Sequence, residues 1–211
     1  MTTALLSTTY FGPIQWYQKL HRYDAVWIEA CESFIKQTFR NRCLIATTQG
    51  VQALTVPVKA PSEGAYISDH GNWRHLHWQA LQSAYGDSPF FEYYADDLRP
   101  FFTEHRWELL LDFNEAIRQK MCELLDIQPH VAFTTEFLPP DAKLSVSGQR
   151  EDAATELHDF RYAIQPKHPL PDVDFEPRPY YQVFAGKHGF LPNLSILDLL
   201  FNMGPESIYY L

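Results

Sequence analysis

The residues best suited to bind or react gather between positions 31 and 42. Lys36, Arg40 and Arg42, with Asn41 between the last two, put three cations and a neutral amide within seven residues of a chain whose formal net charge is -9. Residues 1–60 carry a net +3 and the remainder -12, so positive charge is concentrated where most of the chain is negative. Guanidinium forks make paired, charge-assisted hydrogen bonds to phosphates and carboxylates, so this stretch suits an oxyanion. The alternative is a solvated basic edge that pairs with the acidic remainder. Cys31 stands just ahead of Lys36; a nearby cation favours the nucleophilic thiolate, whereas a buried thiol would be inert.

Other reactive types form no complete constellation. His77 is a candidate general base, but His75 and His77 point about 200° apart on a helix and cannot share one metal ion. Glu156-Leu157-His158-Asp159 has ligand-type residues without the helix that a zinc-binding pair needs. Walker, Gly-x-Gly-x-x-Gly, Gly-x-Ser-x-Gly and Cys-x-x-Cys patterns are absent, so neither a metal nor a cofactor is expected.

The elements that must position these residues follow from apolar periodicity. Residues 4–9 read as a strand, Gly12-Pro13 as a turn, and Ile14, Trp16, Tyr17 and Leu20 as one face of a helix. A second strand over 25–28 makes a strand-helix-strand opening with a parallel pair. Ligands of such sheets bind beyond the carboxyl ends of the strands, which are here the loops 10–13 and 29–32. Residues 42–46 and 51–58 suggest a hairpin turning at Gly50. Helices are expected from 73, from 89 and over 107–126, with a strand over 131–134. Residues 128–179 hold eight prolines and nine acids against five bases, which argues for extended loops and edge strands. Strand character returns over 180–184, and a final helix over 194–203 is capped by Asn193. Asp198 and Asn202 lie four apart on that otherwise apolar helix and need partners, for which Arg40 or Arg42 is expected.

The fold class expected is thus α/β, one domain over 1–211 with a partly parallel sheet, flanking helices and a Pro-rich irregular segment before the C-terminal helix. A 211-residue chain with 45% hydrophobic residues can bury a sizeable core. Three scattered cysteines and the lack of a signal peptide or long apolar run point to a soluble cytoplasmic protein without membrane spans. A pI near 5.4 argues against nucleic acid as a partner. An anionic small molecule, a nucleotide sugar or carboxylate, is the partner the basic stretch suits; aromatic content of 15% leaves a homo-oligomer open.

Several blocks carry a family resemblance. Tyr10-Phe11-Gly12-Pro13-Ile14-Gln15-Trp16-Tyr17, Lys36 through Arg42, Leu54-Thr55-Val56-Pro57-Val58, His77-Trp78 to Ser83-Ala84-Tyr85, and Pro192 through Ser207 together resemble the WbqC-like proteins. The resemblance implies a bacterial protein linked to surface-polysaccharide or O-antigen biosynthesis, with transfer of a small, glycyl-like acyl group to an activated sugar as the implied role. It brings no agreed catalytic residues, and where many relatives have His-Gln-Pro-x-Tyr this chain has Thr9-Tyr10-Phe11-Gly12-Pro13. On this reading Lys36, Arg40, Asn41 and Arg42 hold the substrate's anion, Trp16, Trp78 and Tyr85 stack on its rings, Asp198 and Asn202 orient the cations, and His77 and Cys31 are the catalytic candidates. The alternative is a non-catalytic interaction or scaffolding subunit in which the cationic cluster is structural.

Overall fold

A computed structural model describes residues 1–59, 64–140 and 156–211. The chain opens with β1 (Thr2–Ser7), α1 (Ile14–Arg22) and β2 (Ala25–Glu29). Ala4, Leu5 and Leu6 are all within 1% of full burial, because β1 is covered on both faces as interior parallel strands are. Gly12 allows the tight exit, since a Cβ there would run into the Thr9 side chain. α1 returns along the sheet with Trp16, Tyr17 and Leu20 buried, and β2 pairs parallel to β1 from Thr3 opposite Ala25 to Ser7 opposite Glu29.

The hairpin of β3 (Arg42–Thr47) and β4 (Gly50–Thr55) follows, turning where Gly50 takes a φ of 103°. Next come a short pair, β5 (Val58–Lys59) and β6 (Tyr66–Ile67), then α2 (Trp73–Tyr85), α3 (Phe91–Leu98), α4 (Pro100–Thr103) and α5 (Leu110–Leu124). The apolar stripe of α5 is core, with Phe113, Ile117 and Met121 at 0% exposure. α5 begins later than its periodicity suggests, because the preceding backbone pairs with the short strand: Ile67 N–H donates to Glu108 O at 2.7 Å and Leu110 N–H to Ala65 O at 3.0 Å.

β7 (Val131–Phe133) joins β2 in parallel, and β8 (Glu156–Asp159) joins β1 in parallel on the opposite side. The sheet order is β7-β2-β1-β8. The chain builds outward from β1 in one direction and then crosses to its other side, so a topological switch point lies between β1 and β8. Beyond β8, residues 160–179 lie over α1, where Asp172 meets Lys19 at 2.8 Å and Gln15 Nε2 at 2.7 Å.

The strand expected over 180–184 does not form. That segment finds no sheet edge; Tyr180 reaches Asp198, and the Gln182 side chain takes over backbone pairing by exchanging two 2.9 Å hydrogen bonds with Leu191. It leads into the short α6 (Ala185–His188) and then α7 (Ile196–Met203), apolar nearly all round and in contact with α1, α3 and β3. The cap of α7 is Ser195, whose Oγ accepts from Leu197 N–H, rather than Asn193. Asn193 caps a different helix: its Oδ1 accepts from Gln15 N–H in the first turn of α1 at 3.0 Å.

Candidate functional site

At the switch point the carboxyl ends of β1, β2 and β8 surround a crevice of about 400 Å³. Ser7 ends β1, and Thr8 and Thr9 follow it; Cys31, Glu32 and Ser33 follow β2; Phe160, Arg161 and Tyr162 follow β8. Trp16 forms part of the wall, and its indole N–H is fixed by Ser7 O at 2.9 Å. Ile35, Phe137 and Tyr162, which are 53%, 48% and 39% exposed, rim the opening. Apolar walls with a few convergent polar groups are what small-molecule sites require. The adjacent N-terminus of α1 is already occupied: Ile14 N–H donates to Leu194 O and Gln15 N–H to Asn193.

Two acid–base clusters close the base of the crevice. Glu29 is satisfied on both oxygens: Oε1 accepts from Thr134 Oγ1 (2.6 Å) and Cys31 N–H (3.0 Å), and Oε2 from Leu138 N–H (2.9 Å) and Arg161 (3.1 Å). Arg161 is also held by Asp159 at 2.6 Å. Glu32 pairs with Arg40 through Oε2, which also accepts from Ser7 Oγ at 3.0 Å, while Oε1 is buried without a partner among the described residues. Burial pushes the Glu32 carboxyl up to about 7, against the pull of the Arg40 guanidinium and the Ser7 hydroxyl. Arg40 also donates from Nη1 to Ser33 O, and its buried Nε has no partner among the described residues. A buried donor or acceptor left unpaired costs about 1–3 kcal/mol, so this pair keeps unused hydrogen-bonding capacity at both ends.

The basic stretch is dispersed by the fold. Arg40 lines the crevice, but Lys36 is exposed in a turn outside it. Asn41 is buried and donates to Val56 O at 2.8 Å; Arg42 donates to Thr55 Oγ1 at 3.0 Å on the β3–β4 hairpin. Of the aromatic candidates, Trp16 lines the crevice, while Trp78 packs beside Phe91 and Phe102 and the Tyr85 hydroxyl is spent on Asp198. Cys31 is exposed at the rim, with Sγ 3.7 Å from Thr134 O. His77 is buried outside the crevice, its Nδ1 2.9 Å from the Tyr10 hydroxyl, and burial pushes its ring down to about 4.

The expected pairing of Asp198 with Arg40 or Arg42 is overturned. Asp198 accepts from Tyr85, Tyr180, Gln182 and Asn202, while Arg40 turns to Glu32. Neutral donors meet the carboxylate's needs, leaving the cations to the sheet end. Sequence reasoning missed Glu29, Glu32 and Arg161. The loop holding Glu32 was legible as a strand end, but its acid has the look of any solvated carboxylate until burial is known. Arg161 sits in the Pro-rich acidic region, where β8 has no apolar run to announce it.

Fold and site together define an α/β protein with a crevice at the switch point of a parallel sheet. A model of the WbqC-like protein family matches residues 8–210, and the chain belongs to that family. It is similar to an uncharacterized protein of Mycobacterium tuberculosis (strain ATCC 25618 / H37Rv), Rv1507c, at 29% identity over 96% of this chain and 91% of the relative. No solved structure matches the chain.

Proposed function

We propose that the protein is a cytoplasmic transferase of surface-polysaccharide (O-antigen) biosynthesis that places a small acyl group on an activated sugar held in the switch-point crevice. Membership of the WbqC-like family is what suggests this setting, and the carboxyl of Glu32 is the observation that supports the chemistry. It has a buried oxygen with no partner among the described residues, lies beside exposed Cys31, and is held by burial near neutrality, where one group can take and return a proton. As the sugar's hydroxyl or amine forms a bond to the acyl carbon, its proton passes to Glu32 and the donor's leaving group departs with the electron pair of the bond that breaks. Trp16 and Phe160 supply ring-binding surface, and Arg40 charge at the same wall. Cys31 remains a candidate nucleophile for the acyl group.

One observation favours the non-catalytic alternative. Arg40 and Arg161 are both matched by carboxylates, as they would be if their purpose were to close the sheet end. A thermal-shift screen against nucleotide sugars and amino acids separates the readings. A ligand at a hundred times its Kd stabilises by about 2.7 kcal/mol, roughly 5–10 °C here. The transferase reading expects such a shift, and a folded Glu32→Gln variant that still binds but loses turnover. A blank screen with well-folded protein supports the scaffold.

A further inference from the structure

We infer that the protein holds an oxyanion, a phosphate or carboxylate, in a second hollow that shares the Glu32–Arg40 wall with the crevice, between Arg40 and the first turn of α5. This deepens the transferase reading by giving its substrate an anionic end. The hollow encloses about 760 Å³; Thr8, Cys31, Glu32, Ser33 and Arg40 face both spaces, and Leu109 to Leu111 with Ala65 and Tyr66 line the hollow alone.

Two independent features point to an anion. The start of the 15-residue helix α5 has no side-chain cap among the described residues. Leu110 N–H is spent on Ala65 O, but the next two amides, of Leu111 and Asp112, have no partner among the described residues and lie at the positive end of the helix dipole. Arg40 brings the second feature: its side chain is only 9% exposed, yet its Nε has no partner among the described residues. The two are tied together, since Asn114 of α5 donates from Nδ2 to Arg40 O at 2.8 Å. An oxyanion in the hollow would meet the Leu111 end of α5 directly and would engage Arg40 Nε once the side chain turns its buried edge towards the ion.

The acids nearby do not close the site. Glu29 faces the hollow with both oxygens already engaged, Asp112 is exposed, and Glu32 is already paired with Arg40 through Oε2. A substrate with its ring in the crevice and its phosphate or carboxylate in the hollow would pass beside Glu32 and Cys31.

The test is a titration of the ¹⁵N-labelled full chain with inorganic phosphate, pyrophosphate and acetate, read by amide and arginine Nε shifts. Saturable binding is expected, with the largest shifts at Leu111, Asp112 and Arg40 Nε, and at least tenfold weaker affinity in Arg40→Gln. Preference for phosphate or pyrophosphate over acetate identifies a phosphoryl group, and the reverse a carboxylate. The inference is overturned if none of the three saturates by about 10 mM, or if the shifts centre elsewhere. The wild-type map decides even where Arg40→Gln fails to fold. Anion binding here without any nucleotide-sugar binding would keep this site and remove the transferase reading; turnover with no anion response would do the opposite.

Discussion

The Tyr180 hydroxyl donates to Oδ1 of Asp198 at 2.6 Å, inside the protein. Tyr85 donates to Oδ2 at 2.8 Å, and Tyr85 also accepts from Ala46 N–H at 3.1 Å, so this carboxylate ties α7 to α2, to β3 and to the segment after residue 179. Burial pushes the Asp198 carboxyl up and the hydroxyl and amide donors pull it back. Asp198→Ala, which strands several donors, should cost about 3 kcal/mol or more in urea denaturation, and Asp198→Asn less than half of that. Equal losses would show that packing rather than hydrogen bonding sets the value of the site.

Lys19 and Asp172 form an ion pair with side chains 1% and 4% exposed. Lys19→Met should destabilise the fold by about 3–5 kcal/mol, because it leaves a buried carboxylate unpaired. Adding Asp172→Asn should recover part of that loss. Limited proteolysis should cut between residues 165 and 178 in the single variant sooner than in the wild type; an unchanged digestion pattern would count against the pair as the anchor of that segment.

Two buried groups give opposite pH dependences. His77 is held down to about 4 from an ordinary 6.5, so on acidification the unfolded chain takes up the proton first and stability falls from pH 6.5 towards 4. Glu32 is held up to about 7 from 4.5, so the folded chain keeps its proton longer; that contribution is present below 4.5 and is lost as pH rises through 7. Melting curves from pH 4.5 to 8 should therefore show Glu32→Gln gaining on the wild type as pH rises, and His77→Gln gaining as it falls. Parallel curves would refute both assignments.

Gly204 ends α7 with a φ of +54°, and a Cβ on it would come within 2.6 Å of the Phe90 ring. Gly204→Ala should cost at least about 2 kcal/mol, from backbone strain and the collision together. A paired Phe90→Leu change should relieve the collision but not the strain, which calorimetry of the two variants can separate.

Much of the scaffold was legible because it follows local periodicity. Ile14, Trp16, Tyr17 and Leu20 mark α1, and Gly50 marks the hairpin turn. The carboxyl ends of β1 and β2 are legible in the sequence as places for a ligand. The site residues were harder, because their character is set by partners. Arg40, Asn41 and Arg42 are adjacent, yet one meets Glu32, one a backbone carbonyl and one a threonine hydroxyl. Arg40 and Asn41 lie in the turn before β3 and only Arg42 on the strand, so the bending backbone carries the three side chains to different partners, and charge density along the sequence overstated charge density at the site. β8 was hidden for a related reason: a short edge strand of Glu-Leu-His-Asp is specified by the backbone of β1 beside it, with little apolar signal of its own.

The position of β8 also bears on how the protein is made. β1 leaves the ribosome before the other strands of its sheet, but its neighbour on that side begins at residue 156. At typical elongation rates of about 5–20 residues per second, one edge of an apolar strand stays open for roughly 6–25 s after β2 has emerged. Arg161 and Phe160 arrive in the same late instalment, so a nascent chain has no finished crevice. Until then its exposed edge is a target for chaperones or for another copy of itself, and yield in the cell should depend on synthesis speed as well as on the stability of the finished fold.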